Sequence, residues 1–226
     1  MRQVLFIGDL DKTDLLFYIA KLISLDKKVL IADYTLTKRY EFAYPKVEMC
    51  EAIQQYDYFD VAEGLNKYSD LESILNKHDY DIVLVDIEKE QSLKNWPNAD
   101  SLYLITSYEN PVIQRNLKLT ESFFHEKLAS ELVPVTKIIY EVHGTLNEDY
   151  INDLMDKFPI HWEETLIFYP DERDLTRKIS NQYSSSVKLK GLSGPFKEVI
   201  KSVAGKILDS NSKETNVLWK QAERRK

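Results

Sequence analysis

The amino-acid sequence predicts an α/β protein with a doubly wound, mostly parallel sheet flanked by helices. Short, continuous apolar runs, as at residues 4–7 and 29–32, are typical of strands that are buried on both faces. They alternate with longer segments whose apolar residues recur at helical intervals, as at residues 15–24. Strands that alternate with helices of this length need crossover connections, which favour parallel pairing.

The remaining elements follow the same alternation. The run at residues 29–32 closes at Asp33, and the run at 81–86 is the clearest strand in the chain. Pro111 opens a long helix, because proline at a first-turn position loses no hydrogen bond. The other predicted elements are a candidate strand at residues 58–61, helices at 71–75, 148–158 and 193–208, and strands at 102–106, 135–142 and 165–168.

Length and composition limit the organisation and the partners. A chain of 226 residues with 43% apolar residues can build one sizeable core. We expect one domain over residues 1–209 and a polar, basic tail over residues 210–226. The net charge of −7 and the lack of a basic stripe argue against nucleic acid as a partner. The histidines lack ligand spacing, so no metal site is expected.

Cysteine content and hydropathy indicate the compartment. The single cysteine, Cys50, rules out a disulfide framework and fits a reducing cytosol. No apolar run approaches the roughly 20 residues that span a bilayer. The expected location is therefore the cytoplasm.

The turn between the first strand and the first helix is the candidate site, because doubly wound sheets bind ligands at the carboxyl ends of their strands. It contains Gly8 and, at the helix start, Lys12 and Thr13. This order is typical of a phosphate-binding loop, whose pattern is G-x-x-x-x-G-K-[ST]. Glycine is nevertheless scarce, at 6 of 226 residues, or roughly 3% against an average near 7%. Few backbone positions can therefore wrap a phosphate.

Several segments, taken in order, resemble the MinD/ParA branch of P-loop ATPases, the group with a deviant Walker A loop. Lys12 and Thr13 resemble the end of Walker A, and Asp33 resembles the aspartate of switch I. Residues 80–86 resemble Walker B, which ends at Asp86. Residues 99–113 and 167–171 resemble the family's later strands, with their proline-led helix and proline-containing loop. The resemblance implies a P-loop NTPase fold.

The departures from that family fall in three nucleotide-contacting regions. Lys12 follows Gly8 by four positions (12 − 8 = 4), whereas the loop pattern needs six. The family's additional early lysine has no counterpart. The substituted residues are Asp9, Leu10 and Asp11 in the loop, Ile87 and Glu88 in switch II, and Tyr140 and Glu141 where an adenine-reading asparagine and a basic residue are usual. We therefore predict that the fold is kept and ATP hydrolysis is lost, as in TadZ-like members with decayed Walker A loops.

The resemblance implies which residues would act at the site. Lys12, Asp33 and Asp86 would be vestigial catalytic residues, and Gly8, Lys12 and Thr13 would contact a nucleotide if one bound. In the non-hydrolytic interpretation no cofactor is expected. Lys12 is then a solvated side chain, Thr13 caps the helix, and the two aspartates accept local amide hydrogen bonds. The alternative is an ATPase with an unusually short loop that uses ATP and Mg²⁺.

An aromatic cluster after the second strand is the candidate protein interface. Aromatic side chains are enriched at interfaces, and tyrosine can bury its ring while its hydroxyl stays hydrogen-bonded. We expect this segment to be partly exposed, with ordinary core packing as the competing interpretation. Its residues are Tyr34, Tyr40, Phe42, Tyr44, Tyr56, Tyr58 and Phe59.

The predicted function is that of a non-catalytic pseudo-ATPase, a binding, positioning or assembly module of a larger bacterial machine of pilus, secretion, conjugation or flagellar type. Expected partners are proteins of a membrane-associated assembly and a second copy of the chain. A plasmid-partition-like protein is a second alternative. The tail has three apolar residues, Val217, Leu218 and Trp219, beside four bases that end at Lys226. It could insert weakly at the inner face of the membrane, or it could be a disordered end.

Overall fold

The computed structural model describes residues 1–46, 53–94, 96–97, 99–125, 132–141, 144 and 146–225. Cys50, Val142 at the end of a predicted strand, and Lys226 of the tail lie outside the described residues. The elements, in chain order, are β1 (Arg2–Ile7), α1 (Thr13–Ile23), β2 (Val29–Tyr34), a 3₁₀ helix (Arg39–Phe42), β3 (Ile53–Tyr56), β4 (Phe59–Ala62), α2 (Tyr68–Leu75), β5 (Ile82–Ile87), α3 (Glu90–Leu93), β6 (Ser101–Thr106), α4 (Asn110–Phe124), β7 (Val133–Tyr140), α5 (Glu148–Met155), β8 (Ile160–Phe168), α6 (Glu172–Gln182), α7 (Gly194–Leu208) and α8 (Ser212–Arg224).

Across the described ranges the strands form one eight-stranded sheet in the order β3-β4-β2-β5-β1-β6-β7-β8. Strand β3 is antiparallel to β4, and every other neighbouring pair is parallel. The predicted α/β class with a mostly parallel sheet is confirmed. Strands β2 to β5 all lie on one side of β1, with β5 between β1 and β2, and β6 is the first strand on the other side.

Apolar side chains of the sheet are buried on both faces. In β1, Val4 and Phe6 join the core formed with α1, α7 and α8, whereas Leu5 and Ile7 join the core formed with α2 to α5. Because a strand's side chains alternate between faces, a strand covered on both sides reads as a continuous apolar run. This burial explains the sequence pattern of β1, β2 and β5.

The sequence prediction missed the 3₁₀ helix, β3, α3 and α6, and it treated the region of α8 as a tail. Strand β3 has only four residues, two of them glutamine, and pairs only at the sheet edge with β4. Helix α6 is largely polar, so it lacks a broad apolar stripe. Its start does carry a capping signal, since the Asp171 side chain accepts a hydrogen bond from the Arg173 amide.

The register of the central strands brings the predicted site residues to one edge of the sheet. Asp33 of β2 lies opposite Asp86 of β5, and Ile7 of β1 lies opposite Ile87 of β5. The turn from Gly8 leaves β1 at this same level. Residues that are far apart in sequence therefore meet beside the start of α1.

Candidate functional site

The turn between β1 and α1 is held by hydrogen bonds from its own amides. The Gly8 amide donates to the carbonyl of Ile87 at 3.1 Å. The Asp9 amide donates to the Asn116 side chain of α4 at 2.9 Å, and the Thr13 amide donates to the Asp11 carboxylate at 3.1 Å. Phosphate-binding loops point such amides at the ligand. In this turn these three amides are directed to protein oxygens.

Gly8 has a structural reason to be glycine. Its backbone lies against β6, so that an added Cβ would overlap the carbonyl oxygen of Ile105. The same carbonyl accepts a hydrogen bond from Asn116 at 2.9 Å. The glycine that opens the motif is thus required for close packing of the turn on the sheet.

Lys12 is fully buried, which corrects the expectation of a solvated side chain. It is the N-cap residue of α1, and its side chain folds back over the turn. The Lys12 ammonium donates to the Gly8 carbonyl at 2.7 Å and lies 2.6 Å from an oxygen of Asp86. Thr13 does not cap the helix; its hydroxyl donates to Asp11 at 2.8 Å. The lysine therefore has an anionic partner within the protein.

Asp86 is equally buried and lies at the end of β5. The hydroxyl of Tyr40 donates to its second oxygen at 2.9 Å. Burial raises the pKa of Asp86 to about 7, although the Lys12 ammonium lowers it; the carboxylate of Glu88 adds to the increase. The Lys12 ammonium thus favours the charged form of Asp86, whereas burial opposes it.

Asp33 closes the turn after β2 with local hydrogen bonds. One carboxylate oxygen accepts from the Thr35 amide at 2.8 Å and from the Thr35 hydroxyl at 2.6 Å. The other accepts from the Gly64 amide at 3.2 Å. Both oxygens are thus satisfied within the protein, and Asp33 ties β2 to the segment that follows β4.

Glu88 is a buried member of the site that the sequence analysis noted only as a departure from the family. It accepts hydrogen bonds from Arg39 at 2.9 Å and from the Leu36 amide at 3.1 Å. It also lies 3.8 Å from the Lys12 ammonium. The sequence could have indicated this role, because Glu88 immediately follows β5 and the other site residues lie at the same edge of the sheet. Glu88 anchors the segment after β2 over the site.

Asp11 and Lys178 form a second ion pair, at 2.7 Å, which joins the turn to α6. Burial alone would raise the pKa of Asp11, but Lys178 and the hydrogen bonds from Thr13 lower it to about 2. Lys178 also lies 3.5 Å from Asp14. Sequence reasoning missed Lys178, since α6 itself was not predicted.

Comparison with known proteins gives the fold a name. The chain matches no protein-family model and no curated protein sequence. Among solved structures it is similar to the MinD cell division protein of Aquifex aeolicus, with a TM-score of 0.58 and 14% identity over 93% of this chain and 98% of that chain. The chain has the MinD/ParA fold.

Two further structures with the MinD/ParA fold agree. The MinC:MinD cell division protein complex of Aquifex aeolicus matches with a TM-score of 0.65 and 13% identity, over 93% of this chain and 97% of that chain. A ParA family ATPase from Chlorobium tepidum TLS matches with a TM-score of 0.59 and 18% identity, over 90% of this chain and 99% of that chain. At these identities the likeness describes the fold.

In the turn of this MinD/ParA fold, the groups that would meet a Mg²⁺–triphosphate have partners within the protein. Such a ligand needs the lysine ammonium, open amides and a metal site at the turn. Here Lys12 pairs with Asp86, Asp9 pairs with Arg115, and Asp11 pairs with Lys178. Over the part of the chain that the structure describes, no group of three histidine, cysteine or acidic residues is arranged to hold a metal ion.

The aromatic cluster lies mostly inside the MinD/ParA fold, which corrects the expected exposure of this segment. Phe17 of α1 makes edge contacts with Tyr40, Tyr44 and Tyr56, because the 3₁₀ helix and β3 fold over α1. The buried members are Tyr34, Tyr40, Tyr44, Tyr56 and Phe59. The exposed members are Phe42 and Tyr58.

The tail forms helix α8, so the expectation of a disordered end is wrong. Trp219 and Ala222 are buried in the core shared with α1 and α7. The Arg225 guanidinium stacks on the Tyr58 ring at 3.5 Å and donates to the Ser24 carbonyl at 3.3 Å. The apolar side of α8 is thus occupied by the protein. No helix within the described ranges has the length and apolar character to cross a membrane.

Proposed function

We propose that this chain is a MinD/ParA-like protein that does not hydrolyse ATP and acts as a binding and positioning module for other proteins, in a cytoplasmic part of a larger bacterial assembly. The observation that supports it most is the buried contact of Lys12 with Asp86 and with the Gly8 carbonyl. A lysine in this position of a working P-loop contacts the β- and γ-phosphates. Here the same ammonium is neutralised by a carboxylate of its own chain.

Energetics favour this proposal. Breaking a buried ion pair by removing one partner costs about 3–5 kcal/mol, so a nucleotide would have to offset a comparable amount to recruit Lys12. Its phosphates would also approach Asp11 and Glu88, which increases the cost through repulsion between like charges. A site with these contacts is stable without a nucleotide.

The fold supports a role in protein binding. One structure that the chain resembles is a complex of MinC with MinD, so a protein of this fold binds a protein partner there. We propose that this chain likewise acts through protein contacts, without a nucleotide-driven cycle. Pilus, secretion, conjugation and flagellar machines are the assemblies in which such a module would work.

Calorimetry or a thermal melt with Mg²⁺–ATP tests the proposal. A ligand at 100 times its Kd stabilises the folded state by about 2.7 kcal/mol, which a melting curve resolves easily. We expect no change of Tm and no phosphate release, with a MinD/ParA ATPase as the positive control. A clear increase of Tm together with phosphate release above background would overturn the proposal.

The second candidate is an ATPase with a short loop, and one observation favours it. The fold does bring Lys12, Asp33 and Asp86 to the same strand ends, as a hydrolase of this family requires. In that case ATP would displace the Lys12–Asp86 contact, and Lys12→Met would abolish both the Tm increase and phosphate release. The non-hydrolytic module and the ATPase therefore give opposite results when Tm and phosphate release are measured with Mg²⁺–ATP.

A further inference from the structure

A polar cleft lies at the edge of the sheet where β6 and β7 begin, opposite the edge that carries the candidate site. Its volume is about 720 Å³, a size that is common for small-molecule sites. The first halves of β6 and β7 and Glu163 of β8 form its floor, and α7 from Glu198 to Lys206 forms one wall. The first turns of α8 complete the lining. None of the residues that line this cleft belongs to the candidate site.

Tyr103 brings to the cleft a polar group that the protein itself does not use. Its ring stacks on Phe6, with the ring centres 4.9 Å apart, and only 2% of the residue is exposed. Tyr103 nevertheless lines the cleft, and within the described ranges its hydroxyl has no hydrogen-bond partner. A buried tyrosine hydroxyl usually has one. The hydroxyl therefore opens into the cleft, where a ligand would be its partner.

The electrostatic surroundings of Tyr103 agree with this direction. Burial raises the pKa of Tyr103, the carboxylates of Glu163 and Glu164 raise it further, and Arg2 lowers it. Glu163 is itself part of the floor of the cleft. The Tyr103 hydroxyl thus stays neutral and lies near carboxylates that attract a cation.

The lining of the cleft is acidic. It contains four carboxylates and two lysines, which gives a net charge of −2 (2 − 4 = −2). An anionic ligand would meet repulsion on such a lining, whereas a cation is attracted. The charged residues of the lining are Asp100, Glu163, Glu198, Asp209, Lys201 and Lys206.

Both lysines of the lining already have partners. The Lys206 ammonium lies 2.8 Å from Glu164 and donates to the Thr136 hydroxyl at 3.2 Å. The Lys201 ammonium lies 2.7 Å from Glu198. Neither lysine is therefore left to attract an anion.

Two of the acids retain free capacity. One oxygen of Asp100 accepts from the Gln3 amide at 2.7 Å, and within the described ranges no lysine or arginine forms an ion pair with Asp100. Glu163 lies 3.8 Å from the Lys206 ammonium, which is too long for a hydrogen bond. Asp100 and Glu163 can therefore accept hydrogen bonds from a bound cation.

The other groups around the cleft narrow the kind of cation. Within the described ranges, no three histidine, cysteine or acidic residues are arranged to hold a metal ion. A flat aromatic cation would need an exposed ring to stack on, and Tyr103, the one aromatic residue of the lining, is buried. The amides that start α8 are not open to an anion, since Asn211 accepts from those of Lys213 and Glu214. An aliphatic amine is the ligand that remains.

We propose that this cleft binds a small aliphatic di- or polyamine, whose ammonium groups pair with Asp100 and Glu163 and donate to the Tyr103 hydroxyl. The wall from Glu198 to Lys206 is about 12 Å long at 1.5 Å per residue, which suits an extended chain with more than one amine. A bound amine would join β6 and β8 beneath α7. This inference goes beyond the proposed function and does not depend on it.

Calorimetric titration and melting curves of the full chain with spermidine are the first test. We expect one site per chain and a rise of Tm that grows with spermidine concentration. Citrate and Mg²⁺ at the same ionic strength should give neither. Absence of spermidine binding at millimolar concentration would overturn the proposal, and so would equal binding of Mg²⁺. A lysine-rich peptide that binds more tightly and displaces spermidine would also overturn it, because the cleft would then belong to a protein partner.

The variant Tyr103→Phe tests the free hydroxyl. It keeps the ring stacked on Phe6 and should raise the spermidine Kd about 3- to 10-fold, as expected for one lost hydrogen bond. The Tm of the free protein should not fall, because the hydroxyl has no partner within the protein to lose. Tyr183→Phe is the matched control, since Tyr183 is 82% exposed and lies outside the cleft. Equal Kd values for the two variants would contradict the role of Tyr103.

The double variant Asp100→Asn, Glu163→Gln tests the charges. It removes the net charge of the lining and should raise the spermidine Kd at least tenfold. Glu121→Gln is the control, because Glu121 is an exposed acid on α4, which covers the other face of the sheet. It should leave the Kd unchanged. An equal loss in both would mean that spermidine is attracted to the acidic surface in general, and the proposed site would be wrong.

Discussion

The Lys12 ammonium and the Asp86 carboxylate are 2.6 Å apart, and neither side chain is exposed to solvent. Lys12 is the N-cap residue of α1 and Asp86 is the penultimate residue of β5, so the pair joins a helix to the centre of the sheet. Tyr40 donates to the other oxygen of the same carboxylate. Because this ion pair joins two elements inside the core, it should stabilise the folded state.

Replacement of Lys12 by methionine should therefore destabilise the protein. The variant Lys12→Met leaves Asp86 buried without its cation, and we expect a loss of roughly 3 kcal/mol at pH 8. The loss should be smaller at pH 5, where Asp86 can take up a proton instead. Urea unfolding at both pH values measures the change. Lys27→Met, at an exposed lysine, is the control; an equal loss in both variants would contradict the buried pair.

Asp86 should give stability a distinct pH dependence. Its folded-state pKa is raised to about 7, whereas the unfolded chain releases this proton near about pH 4. Between these values the folded state binds more protons, so this contribution to the unfolding free energy decreases as the pH rises. The unfolding free energy of wild type relative to Asp86→Asn should therefore decrease from pH 5 to pH 8, by up to about 1.4 kcal/mol per pH unit. A constant difference would contradict the shifted pKa.

The Asp11–Lys178 pair should matter most above pH 4. Its lowered pKa means that Asp11 stabilises the fold at neutral pH and that this contribution disappears as the pH falls toward about 2. Because Asp11 is 35% exposed, screening by solvent reduces the effect, and Asp11→Asn should cost about 1 kcal/mol at pH 7. Urea unfolding at pH 7 and near pH 2 checks the trend. Asp26→Asn, at an exposed acid, should show little change at either pH.

Helix α8 should be part of the cooperative fold. Trp219 is 2% exposed and packs in the core shared with α1. We expect Trp219→Ala to cost about 3–5 kcal/mol, the usual range for a buried aromatic residue. Val217→Ala, on the exposed side of the same helix, should stay within about 0.5 kcal/mol. Guanidinium unfolding compares the two, and a detached tail would show the same small effect for both.

The sequence predicted the parts of the fold that depend on local pattern. The apolar run at residues 81–86 corresponds to β5, Ile82–Ile87, and the helix predicted at 193–208 corresponds to α7, Gly194–Leu208. Both elements are covered by the core on a broad face, so burial leaves a clear periodic signal. Helix α6 lies on the surface and has few apolar contacts inside. The apolar periodicity of the α6 sequence is therefore weak.

The site could be predicted in location but not in detail. Their positions at strand ends on one edge of the sheet predicted that Lys12, Asp33 and Asp86 lie near one another; in the structure Asp33 lies opposite Asp86, and Lys12 contacts Asp86. Whether Lys12 is solvated or buried depends on distances between segments remote in sequence, which no local pattern contains. The burial of Tyr40 and Tyr44 was missed for the same reason, since their packing partner is Phe17 of α1.

The contacts of β1 and α1 with the segment from α7 to Arg225 determine when one half of the core can form during synthesis. Arg2 of β1 pairs with Asp209 at 2.8 Å, and Arg225 donates to Ser24 at the end of α1. Helices α7 and α8 cover α1, yet both are translated after all strands of the sheet. As long as they remain in the ribosome, the side of the sheet that carries α1 stays open to solvent. This half of the core therefore closes only after α7 and α8 have left the ribosome.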